Sequence, residues 1–311
     1  MGIKLRFGRF STAIYVFSVA AAMAGCTNTG GAAVDTAVNI AFTRWENGGS
    51  DIYIKDQLSV SATEINLTNM PEAGNKEPAW SPDGTKIAFA SKRDDNVDIY
   101  TMNRDGSNVL RLTDDPGIDM SPSYSPDGKK IAFISYRNGN NLNVYTMNTD
   151  GTEVFEVTES PGTDASPCWS PDSLSILFVS NYEFVDGTNR LYLVGADGTD
   201  QRRFTTDTAD EGDPNWNPVS TEIVYQRSDE SGGSQIYKID ADGTFQERLT
   251  DGTLADQGWH ASWSYDGMQM VFVSDRDGPA QLYTMQRNGT EVEPFTSTGA
   301  VDGQPNWSAA H

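Results

Sequence analysis

An aromatic residue followed at once by a tight turn recurs along this chain at nearly constant intervals. The copies read Trp80-Ser81-Pro82-Asp83-Gly84, Tyr124-Ser125-Pro126-Asp127-Gly128, Trp169-Ser170-Pro171-Asp172-Ser173, Trp216-Asn217-Pro218, Trp263-Ser264-Tyr265-Asp266-Gly267 and Trp307-Ser308. Their anchors stand 44, 45, 47, 47 and 44 residues apart. Repetition at that period means one supersecondary unit per copy, each burying its apolar surface on the next. Proline presets φ at the second turn position, Asp or Asn hydrogen-bonds within its own turn, and Gly supplies the positive φ that closes it.

The rest of each copy reads as strand. Ile87-Ala88-Phe89, Ile131-Ala132-Phe133, Ile176-Leu177-Phe178, Ile223-Val224-Tyr225 and Met270-Val271-Phe272 follow the turn directly. A third strand runs through Ile99-Tyr100, Val144-Tyr145, Leu191-Tyr192, Ile236-Tyr237 and Leu282-Tyr283, and an Asp-Gly or Asn-Gly turn leads to a fourth that ends in Thr. Four short antiparallel strands make one propeller blade. The chain ends are complementary fragments. Residues 40–42, 51–54 and 65–68 match the second, third and fourth strands, and Pro305 to Ser308 supplies the missing first one. The sequence therefore predicts an all-β, six-bladed β-propeller over residues 38–311, closed by pairing the N- and C-terminal strands so that no edge stays open.

The first 25 residues read as an export signal. Lys4, Arg6 and Arg9 precede an apolar run that ends in Met23-Ala24-Gly25-Cys26. Ala22-Met23-Ala24 fits ordinary signal-peptidase cleavage before Gly25, and the four residues ending at Cys26 resemble a lipoprotein box in which Cys26 is acylated. Residues 26–37, rich in Gly, Ala, Thr and Asn, read as a flexible tether. The expectation is an exported protein held by lipid on the periplasmic side of the outer membrane or at the cell surface, with a soluble periplasmic form as the alternative.

Charge narrows the partners. From Cys26 onward 19 basic residues face 44 acidic ones, which disfavours nucleic acid and anionic lipid as partners and favours a basic protein segment or a cation. With Cys26 lipidated, Cys168 has no disulfide partner, and the domain is expected to hold by packing as a monomer.

Candidate site residues come from aligning the loops that enter the first strands. Five positions before each anchor stand Asn75, Asp119, Asp164, Glu211, Gly258 and Asp302; three before it stand Glu77, Ser121, Ser166, Asp213, His260 and Gln304. Converging on one mouth of the channel, Asp119, Asp164, Glu211, Asp213, His260 and Asp302 would bind a partner or a hard cation such as Ca²⁺. The structural alternative is that the Asp residues cap turns between blades. His260, the one internal histidine, sits where Ala261 replaces the Pro found at 78, 122, 167, 214 and 305. Arg44, Arg93, Arg137, Arg227 and Arg276 recur blade by blade, which points to a packing role. No Gly-x-Ser-x-Gly elbow and no His-Glu-x-x-His motif occurs. Cys168 occupies a strand position that is Ala, Ser or Asn in the other copies, which reads as structural. No cofactor and no catalytic residue is expected.

Trp80 to Phe89, its counterpart Tyr124 to Phe133, and Ile99 to Gly106 resemble the β-propeller repeats of the TolB family, over nearly all of residues 38–311. That resemblance implies a propeller whose channel mouth receives a peptide of a partner protein, here through the loops around Asp119, Asp164, Glu211 and Asp302. TolB carries an α/β domain before its propeller, whereas only about a dozen residues separate Cys26 from the first strand here. Similar blades occur in prolyl-oligopeptidase-like peptidases and in oligogalacturonate lyase. The reading is a non-catalytic envelope binding or scaffold protein that presents an acidic mouth to a protein or peptide. The alternative is a cell-surface glycan binder or a metal-dependent polysaccharide lyase.

Overall fold

The computed structural model describes residues 38–57, 63–139, 141–183, 187–206, 208–228, 233–250 and 258–308. The export segment, the tether and Cys26 lie outside them. Six four-stranded antiparallel sheets follow one another around a ring, as the repeat predicts. Blades one to five begin with the innermost strands Lys76–Trp80, Asp119–Tyr124, Asp164–Trp169, Glu211–Trp216 and Gly258–Trp263. The sixth blade is split, with Val301–Trp307 pairing against Asn39–Glu46, followed by Gly49–Asp56 and Ile65–Asn66. Its register sets Ile40 opposite Trp307 and Arg44 opposite Asp302. Asn39 and Ser308 clasp the ends together: the Ser308 N–H donates to the Asn39 carbonyl and the Asn39 N–H to Ser308 Oγ, each at 2.9 Å.

A blade has a neighbour on both sides, so its middle strands are buried on both faces. Ile87, Ala88, Phe89 and Ala90 are all fully buried. Alternation therefore appears there as residue size, large against small, and lets adjacent sheets interlock. Inside each blade a second-strand aromatic meets a third-strand Tyr, as in Phe89 with Tyr100 and Phe133 with Tyr145, with ring centres 6.0 and 5.9 Å apart. The recurring arginines complete these stacks. Arg44, Arg93, Arg137, Arg227 and Arg276 place their guanidinium groups 4.6 to 4.9 Å from the Tyr ring centre, a cation over an aromatic face.

Neighbouring blades also exchange hydrogen bonds at the anchors. The Trp80 N–H donates to Asn306 Oδ1 at 2.8 Å and the Trp263 N–H to Asn215 Oδ1 at 3.1 Å. Cys168 fills the equivalent position, and its Sγ accepts from the Trp216 N–H at 3.2 Å. Its thiol is free and buried, and burial pushes its pKa up to about 11, away from thiolate chemistry.

Candidate functional site

The innermost strands surround a central cavity of about 570 Å³. Its floor is set by one local event repeated six times. Between Lys76 and Ala79, Met120 and Ser123, Ala165 and Cys168, Gly212 and Asn215, and Trp259 and Ser262 the ladder slips by a β-bulge, with a matching slip in the split blade. At each bulge a non-glycine residue takes a left-handed backbone: Glu77, Ser121, Ser166, Asp213, His260 and Gln304 have φ between 46° and 58°. Five of the six precede a proline, which makes that conformation more costly still. The bulge re-aims the side chain, and these six residues line the cavity.

They divide into two groups on opposite sides of the ring. Glu77 of blade one links its neighbours: Gln304 Nε2 donates to Glu77 Oε1 at 3.3 Å, and the Ser121 N–H donates to Glu77 Oε2 at 2.7 Å. Asp213 of blade four, three blades away, does the same: Ser166 Oγ donates to Asp213 Oδ1 at 2.9 Å, and His260 Nε2 lies 3.3 Å from Oδ2. His260 Nδ1 is buried and has no partner among the described residues. Because Asp213 stands between Ser166 and His260, the imidazole is not placed to take the serine proton as the base of a nucleophilic triad.

The acidic mouth expected from Asp119, Asp164, Glu211 and Asp302 is not where the alignment put it. All four side chains are buried at 0 to 2 % exposure, and none lines the cavity. They tie blades together instead. Asp164 accepts from Thr158 Oγ1 at 2.6 Å, Ser180 Oγ at 2.5 Å and Ser160 Oγ at 3.2 Å, while Thr158 Oγ1 in turn accepts from the Val144 N–H. Glu211 accepts from Thr205 Oγ1 and the Leu191 N–H. Asp119 is paired with Arg137, and Asp302 accepts from Arg44 Nε at 2.6 Å. Burial holds the carboxyls of Asp119 and Asp164 above the ordinary range, their hydrogen bonds offsetting only part of the desolvation. Of the six residues singled out in the sequence, Asp213 and His260 open on the channel. Glu77 and Gln304 join them there. Among the described residues no group of three or more His, Cys, Asp or Glu side chains is arranged to hold a metal ion.

The cavity lining also reaches the other end of the innermost strands. From the six bulge residues its lining runs past Trp216 and Tyr124 to a rim of Pro82, Pro126, Pro171, Pro218 and Tyr265, in the turns that follow the anchors. Trp259 and Tyr182, unassigned by the repeat, pack partly buried against blade cores. Trp45 lies over Gly303, where an added Cβ would meet its ring at 2.9 Å.

Comparison with known proteins places this architecture. A family described as the TolB beta propeller domain matches residues 33–180 and 156–258. A Tol-Pal system protein TolB of Anaeromyxobacter dehalogenans is 45% identical over 42 residues, 14% of this chain and 10% of that protein. The crystal structure of TolB from Acinetobacter baumannii superposes with a TM-score of 0.76 at 21% identity, covering 87% of this chain and 66% of that one. The structure of a putative TolB from Agrobacterium tumefaciens gives 0.65 at 21% identity, over 86% and 91%. The chain thus spans a tenth of the first of these proteins and just under two thirds of the second.

Proposed function

The chain belongs to the TolB β-propeller family, and from that footing we propose that it is a non-catalytic binding scaffold of the cell envelope whose funnel admits a segment of a partner protein. The observation that carries this is the funnel floor. Two carboxylates, Glu77 and Asp213, sit on opposite blades with side chains 18 and 24 % exposed. A Lys or Arg side chain entering along the axis meets a carboxylate on either side and gains charge-assisted hydrogen bonds. The floor is held in strained backbone, so it is formed before the partner arrives and little entropy is lost on docking.

The net charge of −22 reinforces the choice of a basic segment, because it draws cationic chains toward the molecule. A glycan binder or lyase has no specific observation in its favour here. Site and tether are tested separately. Photo-crosslinking in cells from a residue on the rim, with wild type and with Glu77→Gln/Asp213→Asn, is expected to give an adduct that the double variant loses. The same adduct at the same yield in both would remove the funnel floor from the interaction. We further assign the membrane link to a lipid on Cys26: Cys26→Ser is expected to shift the protein from the membrane to the soluble fraction, and an unchanged distribution would count against it.

A further inference from the structure

The turns around the funnel differ from one side to the other. In blades one and two the residue after the turn adds a contact to the turn Asp: Thr85 Oγ1 donates to Asp83 Oδ1 at 2.9 Å, and Lys129 Nζ lies 3.0 Å from Asp127 Oδ2. In blades three and five that residue is Leu174 or Met268, and only its backbone N–H reaches the Asp, at 3.0 Å in both. The side chains are left in solvent, 69 and 53 % exposed. Blade four presents Val219 at 63 % exposure, in contact with the turn of blade five, where a Cβ on Gly267 would meet Val219 Cγ2 at 2.7 Å. Tyr265 replaces the rim proline of blade five and is 54 % exposed. Leu174 and Met268 each give up the side-chain contact to the turn Asp that Thr85 and Lys129 make, and leave more than half of an apolar side chain in solvent. A structural role does not account for that. The turns that carry them are locked by Ser170 and Ser264, whose hydroxyls donate to Asp172 and Asp266 at 2.6 Å.

We infer that Leu174, Val219, Tyr265 and Met268 form an apolar docking arc over blades three to five, and that its occupant is the stretch of the partner protein next to the basic residue held on the funnel floor. The inference rests on the funnel reading above. Continuity supports it: Tyr265 itself lines the cavity, Pro218, also in its lining, is followed directly by Val219, and Pro171 opens the turn that carries Leu174, so one chain leaving the floor reaches the arc across these turns. Charge supports the same partner, since its basic residue faces Glu77 and Asp213 while its apolar residues lie away from Lys129 of blade two. The segment recognised is therefore basic at one end and carries spaced Leu or Phe side chains after it, which bury their apolar surface against the arc.

The test uses fluorescein-labelled peptides of about ten residues, one with an initial Lys followed by spaced Leu and Phe, one with those replaced by Ser, and one with Lys replaced by Gln. Wild type should bind the Leu/Phe peptide about tenfold or more tightly than the Ser peptide in anisotropy titrations. Leu174→Ser/Val219→Ser/Met268→Ser, all at exposed positions, should abolish that preference while keeping the preference for Lys over Gln. Glu77→Gln/Asp213→Asn should do the reverse. A triple variant that keeps the full Leu/Phe preference, or a wild type that lacks one, overturns the arc and leaves the floor standing. A Lys preference that ignores the floor variant overturns the funnel reading instead. Absence of binding by any peptide counts against both. Vesicles of equal parts phosphatidylethanolamine and phosphatidylglycerol provide the last arm: if they bind wild type and lose the triple variant, the arc is a membrane contact and the inference fails.

Discussion

Asp213 and His260, on adjacent blades, meet across the channel floor with Nε2 3.3 Å from Oδ2, and the same carboxylate takes the Ser166 hydroxyl on its other oxygen. The aspartate is thus shared between two blades at a place where both side chains remain open to the cavity. Buried aspartates a few residues away make similar numbers of bonds with no such opening. The contrast separates binding from folding and is measurable.

Replacing each type of aspartate should have opposite consequences. Asp213→Asn is expected to change stability by no more than about 0.5 kcal/mol, because the side chain is partly solvated and Ser166 still finds an acceptor. Asp164→Ala leaves the hydroxyls of Thr158, Ser160 and Ser180 without their acceptor in a buried site and should cost about 2 to 4 kcal/mol. Urea titration of both variants checks the pair. Equal losses would contradict the division into floor and blade-tying carboxylates.

The buried Asp164 also fixes a pH dependence. Its carboxyl lies above the ordinary 3.8 because burial disfavours the charged form. The folded state therefore binds that proton more tightly, and the resulting stability is complete below the ordinary value and lost as pH rises through the raised one. Asp164→Asn does not titrate there. Its deficit relative to wild type should be greatest in acid and should shrink as pH climbs from the ordinary carboxylate range toward neutrality. A deficit that is constant or grows with pH would show that the carboxyl is not raised.

Cys168 should be inert while the propeller is folded. Its Sγ is enclosed between two blades, and a pKa near 11 leaves almost no thiolate at neutral pH. A water-soluble disulfide reagent is expected to modify it only after denaturant has passed the unfolding midpoint. Rapid labelling of the native protein would mean that blades three and four separate readily.

Closure of the ring depends on the split blade. Arg44 and Asp302 are 6 and 0 % exposed, and Arg44 also pairs with Glu64 at 2.6 Å, which together hold its guanidinium charged. Arg44→Ala strands a buried carboxylate and should cost about 3 to 5 kcal/mol. Deleting residues 301–311 removes the innermost strand and exposes the edge of Asn39–Glu46, so the domain should unfold or associate. A truncated protein that stays monomeric by size exclusion and melts as wild type does would refute closure through this strand.

What was legible in the sequence was everything set by local chemistry. Turn residues with fixed φ requirements, strands of alternating size and anchors at regular spacing identify blades one by one, and the complementary fragments around Ile40 and Trp307 complete their number. The same local reading assigned Arg44, Arg93, Arg137, Arg227 and Arg276 to packing, and the structure lays them over tyrosine rings. The rim residues Leu174, Val219, Tyr265 and Met268 each depart from what their counterparts carry, but sequence alone does not say that they lie exposed. Their exposure follows from the ring as a whole and not from the turn. Alignment picked out Asp213 and His260 for the channel but could not separate them from the buried Asp119, Asp164, Glu211 and Asp302, for a sharper reason. Asp164 and Ser166, or Glu211 and Asp213, are two residues apart on one strand, and simple alternation sends both to the same side. The β-bulge with its left-handed residue breaks that alternation, keeping the first of each pair between blades and turning the second to the axis. Propensity and spacing determined that there is a propeller with a channel; only the backbone geometry of the closed ring decided which side chains look into it.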